Sequence, residues 1–466
     1  MAAITAPLPA LTTEQQEATG TSAPRVKHRA SAAPLAALVS AAPARARRVG
    51  VSATLAANEA LDERRRRGER VLPLAFGEAG VPVARVLRDA LATASHHNGY
   101  GPVAGLAPLR AAAAGYWTRR GLPTAPEDVV CGPGSKALLY GLLLGLQADD
   151  VAIPRPSWVS YAAQASLTGV RPVYVPIVPG EGGAPDPDLL AAAVISARRE
   201  NRRIGAVIVT MPDNPTGTLA GSDTVHALCE VARRHDLLII SDEIYRDLTH
   251  AARPEFVSPA DVAPERTIIT SGLSKNLALG GWRLGVARLP SGPRAIAALR
   301  ERLLGTCSEI WSAPAAPVQQ AAALAFSEPP EITERIGRSR HLHGTIARAV
   351  ASRFAAAGAQ VPTPRGAFYV YPDFGAHRLA LADRFGVRTS ADLAGLLLHR
   401  HGIGVLPGSA FGDPDKALRL RVATSRLYGE AEWQQEAALA VDDPAALPWI
   451  AESLAWLAEA LAAITA

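Results

Sequence analysis

A chain of 466 residues is too long for one ordinary hydrophobic core and predicts two domains. Hydrophobic residues make up 48% of it and charged residues 20%, the balance of a globular protein with ample apolar surface to bury. The net charge is +5, but lysine and arginine are scattered and no basic block alternates with aromatics, which argues against a nucleic-acid partner.

Residues 1–45 are rich in Ala, Pro, Thr and Ser with little periodicity and read as a flexible tail. Pro7 and Pro9 interrupt the start, and no basic leader precedes an apolar core, so a signal peptide is not expected. The longest apolar run, around 138–146, is far too short to span a bilayer. Cys131, Cys229 and Cys307 are odd in number and far apart, with no metal-type pair or disulfide framework. A reducing compartment, by default the cytoplasm, is the expectation.

From 52 to 68 the pattern is helical, with a charged face through Asp62, Glu63 and the arginines 64–67 that reads as a solvated surface. Between about 125 and 290, apolar or β-branched runs at 128–131, 151–153, 173–177, 206–211, 237–241 and 267–271 alternate with helical stretches. The clearest of those stretches are 136–147, 187–199 and 222–235. This alternation predicts an α/β layer whose largely parallel sheet is covered on both faces. In such sheets ligands gather beyond the carboxyl ends of the strands. A long helical region at about 315–356, strand-like pieces at 367–371 and 418–422, and a helical C-terminus from 450 predict a smaller α+β domain.

Four clusters fall at the boundaries between those strands and the loops after them. Cys131-Gly132-Pro133-Gly134-Ser135-Lys136 opens a helix, whose free N–H groups could seat a phosphate; as a Gly-Pro-Gly turn it also reads as a plain connector. Asp213-Asn214-Pro215-Thr216-Gly217-Thr218 is turn chemistry, or a turn that points an amide into a pocket. Ser241-Asp242-Glu243-Ile244-Tyr245 ends a buried strand on a carboxylate that needs a partner: a salt bridge, a helix cap, or a protonated heteroaromatic nitrogen. Ser271-Gly272-Leu273-Ser274-Lys275-Asn276 leads into Gly280-Gly281-Trp282-Arg283-Leu284-Gly285. There small residues leave space around an amine, and an arginine eight residues on can hold an anion.

Lysine usage narrows the choice. Only four of 48 basic residues are lysine, namely Lys27, Lys136, Lys275 and Lys416. Where arginine serves as the generic cation, a retained lysine marks a position that needs an amine able to lose its proton.

Asn-Pro-x-Gly, then Ser-Asp-Glu-x-Tyr, then Ser-Lys with Gly-Trp-Arg-x-Gly, together resemble the class I/II aminotransferase family of fold-type I pyridoxal-phosphate (PLP) enzymes. The likeness runs from about Val49 to the C-terminus. It implies a large α/β/α domain over 84–330 with a mainly parallel seven-stranded sheet, and a small α+β domain from 46–83 and 331–466. It also implies a function, transfer of an amino group from an α-amino acid to a 2-oxo acid, in a homodimer with shared active sites. Carried over by residue, it makes Lys275 the imine-forming lysine and proton carrier, and Asp242 the partner of the pyridine nitrogen. Asn214 and Tyr245 take the phenolic oxygen, and Trp158 the ring face. Ser135, Lys136, Ser274 and Arg283 form the phosphate cup, completed by Tyr100 from the neighbouring subunit. Arg419 clamps the substrate carboxylate, and Gly77 lies in the segment closing over it.

This sequence departs from the family pattern at three places. Gly272 stands where many relatives carry a phosphate-binding serine. Gly77-Glu78-Ala79 replaces the common Gly-Glu-Pro. Arg421, two residues from Arg419, would share its strand face and could exchange roles with it. The stretch 306–311, expected near the side-chain pocket and including Glu309 and Trp311, holds no arginine for a second carboxylate, which argues against an acidic donor. Two rival functions remain open: elimination, cyclisation or oxidation on the same cofactor, and a ligand-sensing regulator. The regulator needs a DNA-binding module that residues 1–48 are too short and too Ala/Pro-rich to supply.

Overall fold

The computed structural model describes residues 53–251, 256–292 and 294–466; the expected tail at 1–45 lies outside them. Helix Ala53–Arg66 matches the amphipathic pattern expected from 52 to 68. The strands that follow are β1 (Leu72–Pro73), β2 (Val129–Gly132), β3 (Asp150–Arg155), β4 (Arg171–Pro176), β5 (Ile204–Thr210) and β6 (Leu238–Asp242). The remainder are β7 (Thr267–Gly272), β8 (Gly285–Arg288), β9 (Tyr369–Val370), β10 (Ile403–Gly404), β11 (Leu406–Pro407) and β12 (Leu420–Ala423).

Seven of them form one sheet in the order β2-β8-β7-β6-β5-β3-β4. Neighbouring pairs from β7 through β4 are parallel, and β8 runs antiparallel to both β7 and β2. All six apolar runs read as strands are strands. The seventh, β8, is only four residues long and follows directly on the Gly-Trp-Arg turn, so it offers little periodicity to read.

Alternate side chains of this sheet meet two helical layers, as the pleat requires. Ile208, Ile240, Ile268 and Ala287 pack with Leu138, Leu142 and Tyr161 on one face. Val207, Val209 and Ile239 face Leu190 and Leu228 on the other, and Ile269 and Val286 face Leu109 and Trp117. The strands therefore read as continuous apolar runs, because both of their faces are dry.

A separate core gathers residues between Leu72 and Val81 with others from Leu342 to Ile464. It lies under the three-stranded sheet β11-β12-β9 and the two-stranded β1-β10 pair. The helical region expected at 315–356 is two helices, Ala316–Ser327 and Pro330–Ala356. They break where Glu328 turns left-handed (φ 57°) before Pro329 and Pro330.

Strands β2, β3, β5, β6 and β7 run in one direction, so the turns after them open on one edge of the sheet. That shared edge brings distant sequence clusters together.

Candidate active site

A cavity of about 570 Å³ opens at this edge, within the usual range for small-molecule sites. Ten of the twelve residues singled out in the sequence line it: Gly77, Ser135, Lys136, Trp158, Asn214, Asp242, Tyr245, Ser274, Lys275 and Arg283. Tyr100 and Arg419 do not.

One end is built to hold an anion. Ser135 and Lys136 begin helix Ser135–Gly145, whose first N–H groups point out of the turn after β2. Gly134 caps that helix at φ 98°, a conformation glycine takes without strain, and a Cβ there would fall 2.4 Å from an Arg283 nitrogen. Arg283 donates to the carbonyls of Gly280 (2.7 Å) and Pro133 (3.2 Å), so its charge is left uncompensated beside the helix terminus. Burial, then Arg283, lower the pKa of Lys136 below its ordinary value. Gly272 pairs with Gly285 across β7 and β8, where an added Cβ would meet the Leu284 carbonyl at 2.7 Å. A serine is therefore excluded at 272, and Ser274 is the hydroxyl that reaches the cavity.

Asp242 ends β6 and is 3% exposed. It accepts hydrogen bonds from Tyr161 (2.8 Å) and Thr270 (3.3 Å), hydroxyls rather than a cation. Burial pushes its carboxyl up to about 6 despite those bonds. A carboxylate held this way is completed by a protonated nitrogen. Tyr161 and Thr210 also line the cavity and share a 2.7 Å hydrogen bond. Sequence reasoning missed both. Tyr161 lies three residues after Trp158, the helical spacing that brings the two ring centres 5.1 Å apart in an edge-on arrangement.

Trp158 lines the cavity and also packs on the core behind it, and the Lys136 ammonium sits 5.0 Å from its ring. On the opposite side the Tyr245 hydroxyl is 2.7 Å from that of Tyr369.

Lys275 lines the same cavity and donates to the Gly77 carbonyl at 2.6 Å. Burial lowers its pKa to about 8; Arg421, Lys136 and Arg283 push the same way, while Glu78 opposes them. At pH 7 roughly a tenth of such an amine is neutral, far more than of an ordinary lysine with pKa ~10.4. A carbonyl reagent that condenses with Lys275 is accordingly expected to be taken up faster as pH rises, levelling off above about 8. Stopped-flow absorbance against pH checks this; a profile still climbing through pH 10 contradicts it.

Arg419, expected to clamp the substrate carboxylate, is not in the cavity lining. Its guanidinium is held by Asp373 (2.8 Å) and Asp413 (3.2 Å), outside the cavity. Arg421 is the one that enters the lining, 2% exposed. It donates to Asn214 Oδ1 at 3.4 Å and to the Ala75 carbonyl, and its Nε has no acceptor among the described residues. Arg419 stands just before β12, where the isolated bridge to Asp373 brings a carboxylate against it; Arg421 is inside the strand. The stretch 306–311 also stays outside the cavity, with Glu309 exposed at the end of helix Arg294–Ile310. Tyr100 is 96% exposed.

The family model for aminotransferase class I and II matches residues 70–427. The aspartate aminotransferase of Geobacillus stearothermophilus is 34% identical over 80% of this chain and 92% of its own length. The aspartate/prephenate aminotransferase of Thermus thermophilus is 32% identical, with the same coverage. Among solved structures, the aspartate aminotransferase from Thermus thermophilus with maleate superposes with a TM-score of 0.72 at 29% identity, covering 84% of this chain and 95% of that one. The aromatic aminotransferase from Pyrococcus horikoshii gives 0.68 at 28%, covering 81% and 96%. The seven-stranded α/β fold, the residues gathered at its edge and these likenesses agree: the chain belongs to the class I and II aminotransferase family.

Proposed function

We propose that this chain binds pyridoxal 5′-phosphate in the cavity and uses it to move the amino group of an α-amino acid to a 2-oxo acid. The observation that carries the reading is the polarity of the site. One cavity is lined by a cluster of cations at a helix N-terminus, a buried carboxylate with no cation paired to it among the described residues, and an amine of lowered pKa. Those are the complements of a phosphate, a pyridinium and an aldehyde on one planar molecule, so the residues fit the group. Bound there, pyridoxal phosphate supplies an aldehyde that condenses with amines and a ring that accepts the electron pair left when Cα–H breaks.

The protein's part follows from its geometry. Ser135, Ser274, Lys136 and Arg283 would hold the phosphate, and Trp158 would cover the ring. Asp242, kept in place by Tyr161 and Thr270, holds a proton on the ring nitrogen. Asn214 and Tyr245 would take the phenolic oxygen. Lys275 would hold the aldehyde of the bound group and, once free, would be the base placed to take the proton from the substrate Cα. Arg421, whose Nε lacks an acceptor, receives the α-carboxylate, and Gly77 lies over it.

Exposed Tyr100 is assigned to the phosphate of a neighbouring copy, so the working unit is a homodimer. The three cysteines are free and buried, which supports a reducing, cytoplasmic setting. Among the described residues no helix is long and apolar enough to cross a membrane. The names of the relatives make aspartate the first donor to assay. In this chain's cavity Arg421 is the guanidinium away from the cation cluster, one site for one carboxylate.

Transamination requires that donor turnover stop after one equivalent per site when no 2-oxo acid is supplied, and resume on its addition. Unchanged turnover without acceptor would replace this reading with elimination or oxidation. In the same assay Arg421→Ala is expected to raise the donor KM by ~10²-fold, the scale of a lost charge-assisted clamp. Arg419→Ala should alter KM less than about threefold and act on stability, since it leaves Asp413 buried without its cation.

A further inference from the structure

Behind the cavity wall lies a charged cluster that the proposed chemistry does not use. Asp247, 8% exposed, follows Tyr245 in the short helix Arg246–Leu248. Its carboxylate accepts from the Tyr116 hydroxyl (3.0 Å), from Arg120 (3.0 Å) and from the Asn276 amide (2.9 Å). Its carbonyl accepts from Arg340 at 3.2 Å. Asn276 is 6% exposed and adjoins Lys275.

We infer that Asp247 is a positioning residue, which fixes the turn carrying Lys275 to the segment carrying Asp242 and Tyr245. The inference rests on the proposed role of Lys275. That lysine lies in a turn closed by Leu279 N–H on the Leu273 carbonyl, with Leu273, Leu277 and Leu279 buried beneath it. Apolar packing holds the turn down but leaves its sliding along the sheet edge weakly specified. The Asn276–Asp247 bond supplies direction, linking positions 29 residues apart. Arg120 also bonds Glu328 (2.5 Å) and its guanidinium lies 3.5 Å from the centre of the Tyr116 ring, so the carboxylate is held from behind. A rigid anchor matters because the amine must reach both an aldehyde carbon and Cα, and misplacement by ~1 Å can cost ~10²-fold in rate.

The test separates anchoring from general stability. Asn276→Ala removes only the tie to the lysine turn, leaving Asp247 with Tyr116 and Arg120. Tyr116→Phe removes a different bond to the same carboxylate. In the holoenzyme, Asn276→Ala is expected to lower kcat about tenfold with KM within about threefold, and to weaken the visible circular dichroism of the bound cofactor. Tyr116→Phe should lower the melting temperature while both readouts stay within about twofold. Asn276→Ser, which keeps a donor, tests the same bond should the alanine variant fail to fold; partial recovery of the dichroic band is expected. Equal effects of Asn276→Ala and Tyr116→Phe, or none of the first on kcat and dichroism, overturn the inference. Failure of the underlying reading looks different: reductive trapping of the cofactor in the unmutated protein would then label a residue other than Lys275.

Discussion

Lys275→Ala is expected to reduce kcat/KM by ~10⁴-fold or more while the protein still folds, because covalent attachment and proton transfer to Cα both leave with the amine. Among the described residues no other amine of the cavity can stand in. Lys136 is the second lysine of the cavity lining, and it is committed to the cationic end, beside Trp158 and within the field of Arg283. Lys275→Arg is expected to fail equally, since a guanidinium neither condenses with an aldehyde nor releases a proton at neutral pH. Lys275→Ala should be no less stable at pH 7 than the parent, because burial already disfavours the charged form of Lys275. Lys275→Arg, by contrast, keeps a buried charge that cannot neutralise and should be the less stable of the two variants. Steady-state kinetics with thermal unfolding of the same samples checks both halves. Residual activity within tenfold of the parent would remove Lys275 from the mechanism.

Asp242→Asn is expected to separate stability from function. In the cofactor-free chain the Asp242 carboxyl titrates near 6, against about 3.9 for an unfolded chain. The folded state thus binds the proton more tightly, and above pH 6 it carries a buried charge solvated by two hydroxyls and the Ile244 N–H, with no cation paired to it among the described residues. That cost is absent below pH 4, grows between 4 and 6, and is complete at pH 7, on the order of 3 kcal/mol. Asparagine carries no charge. The cofactor-free variant should therefore match the parent in stability near pH 4 and exceed it at pH 7. With cofactor, the neutral amide cannot hold a proton on the ring nitrogen, and turnover should fall by ~10² to 10⁴-fold. Denaturant unfolding at the two pH values and kinetics at pH 7 check this. A variant less stable than the parent at pH 7 would mean that the carboxylate already has a compensating cation.

What could be read from the sequence depended on whether the signal was local. The strands β3, β5, β6 and β7 announce themselves because both faces are buried and their residues are largely apolar or β-branched. Lys275 stood out because arginine replaces lysine almost everywhere else. The choice between Arg419 and Arg421 was not local: two residues apart in the sequence, they are told apart by Asp373 and Asp413, loop carboxylates that neutralise the first. Gly272 looked like a missing serine, and its reason lies in the partner strand, where Gly285 leaves no room for a side chain. Tyr161 and Tyr369 were visible as aromatics, but aromatic residues are as often packing as lining. Only the edge onto which five strands open shows which ones face the ligand.

The account stands on where the cofactor is covalently held. Reducing the reconstituted protein with borohydride and mapping its peptides is expected to find the pyridoxyl group on the peptide containing Lys275, and on none containing Lys27, Lys136 or Lys416. A label on any of those three, or no label on a protein that is otherwise folded, would contradict it.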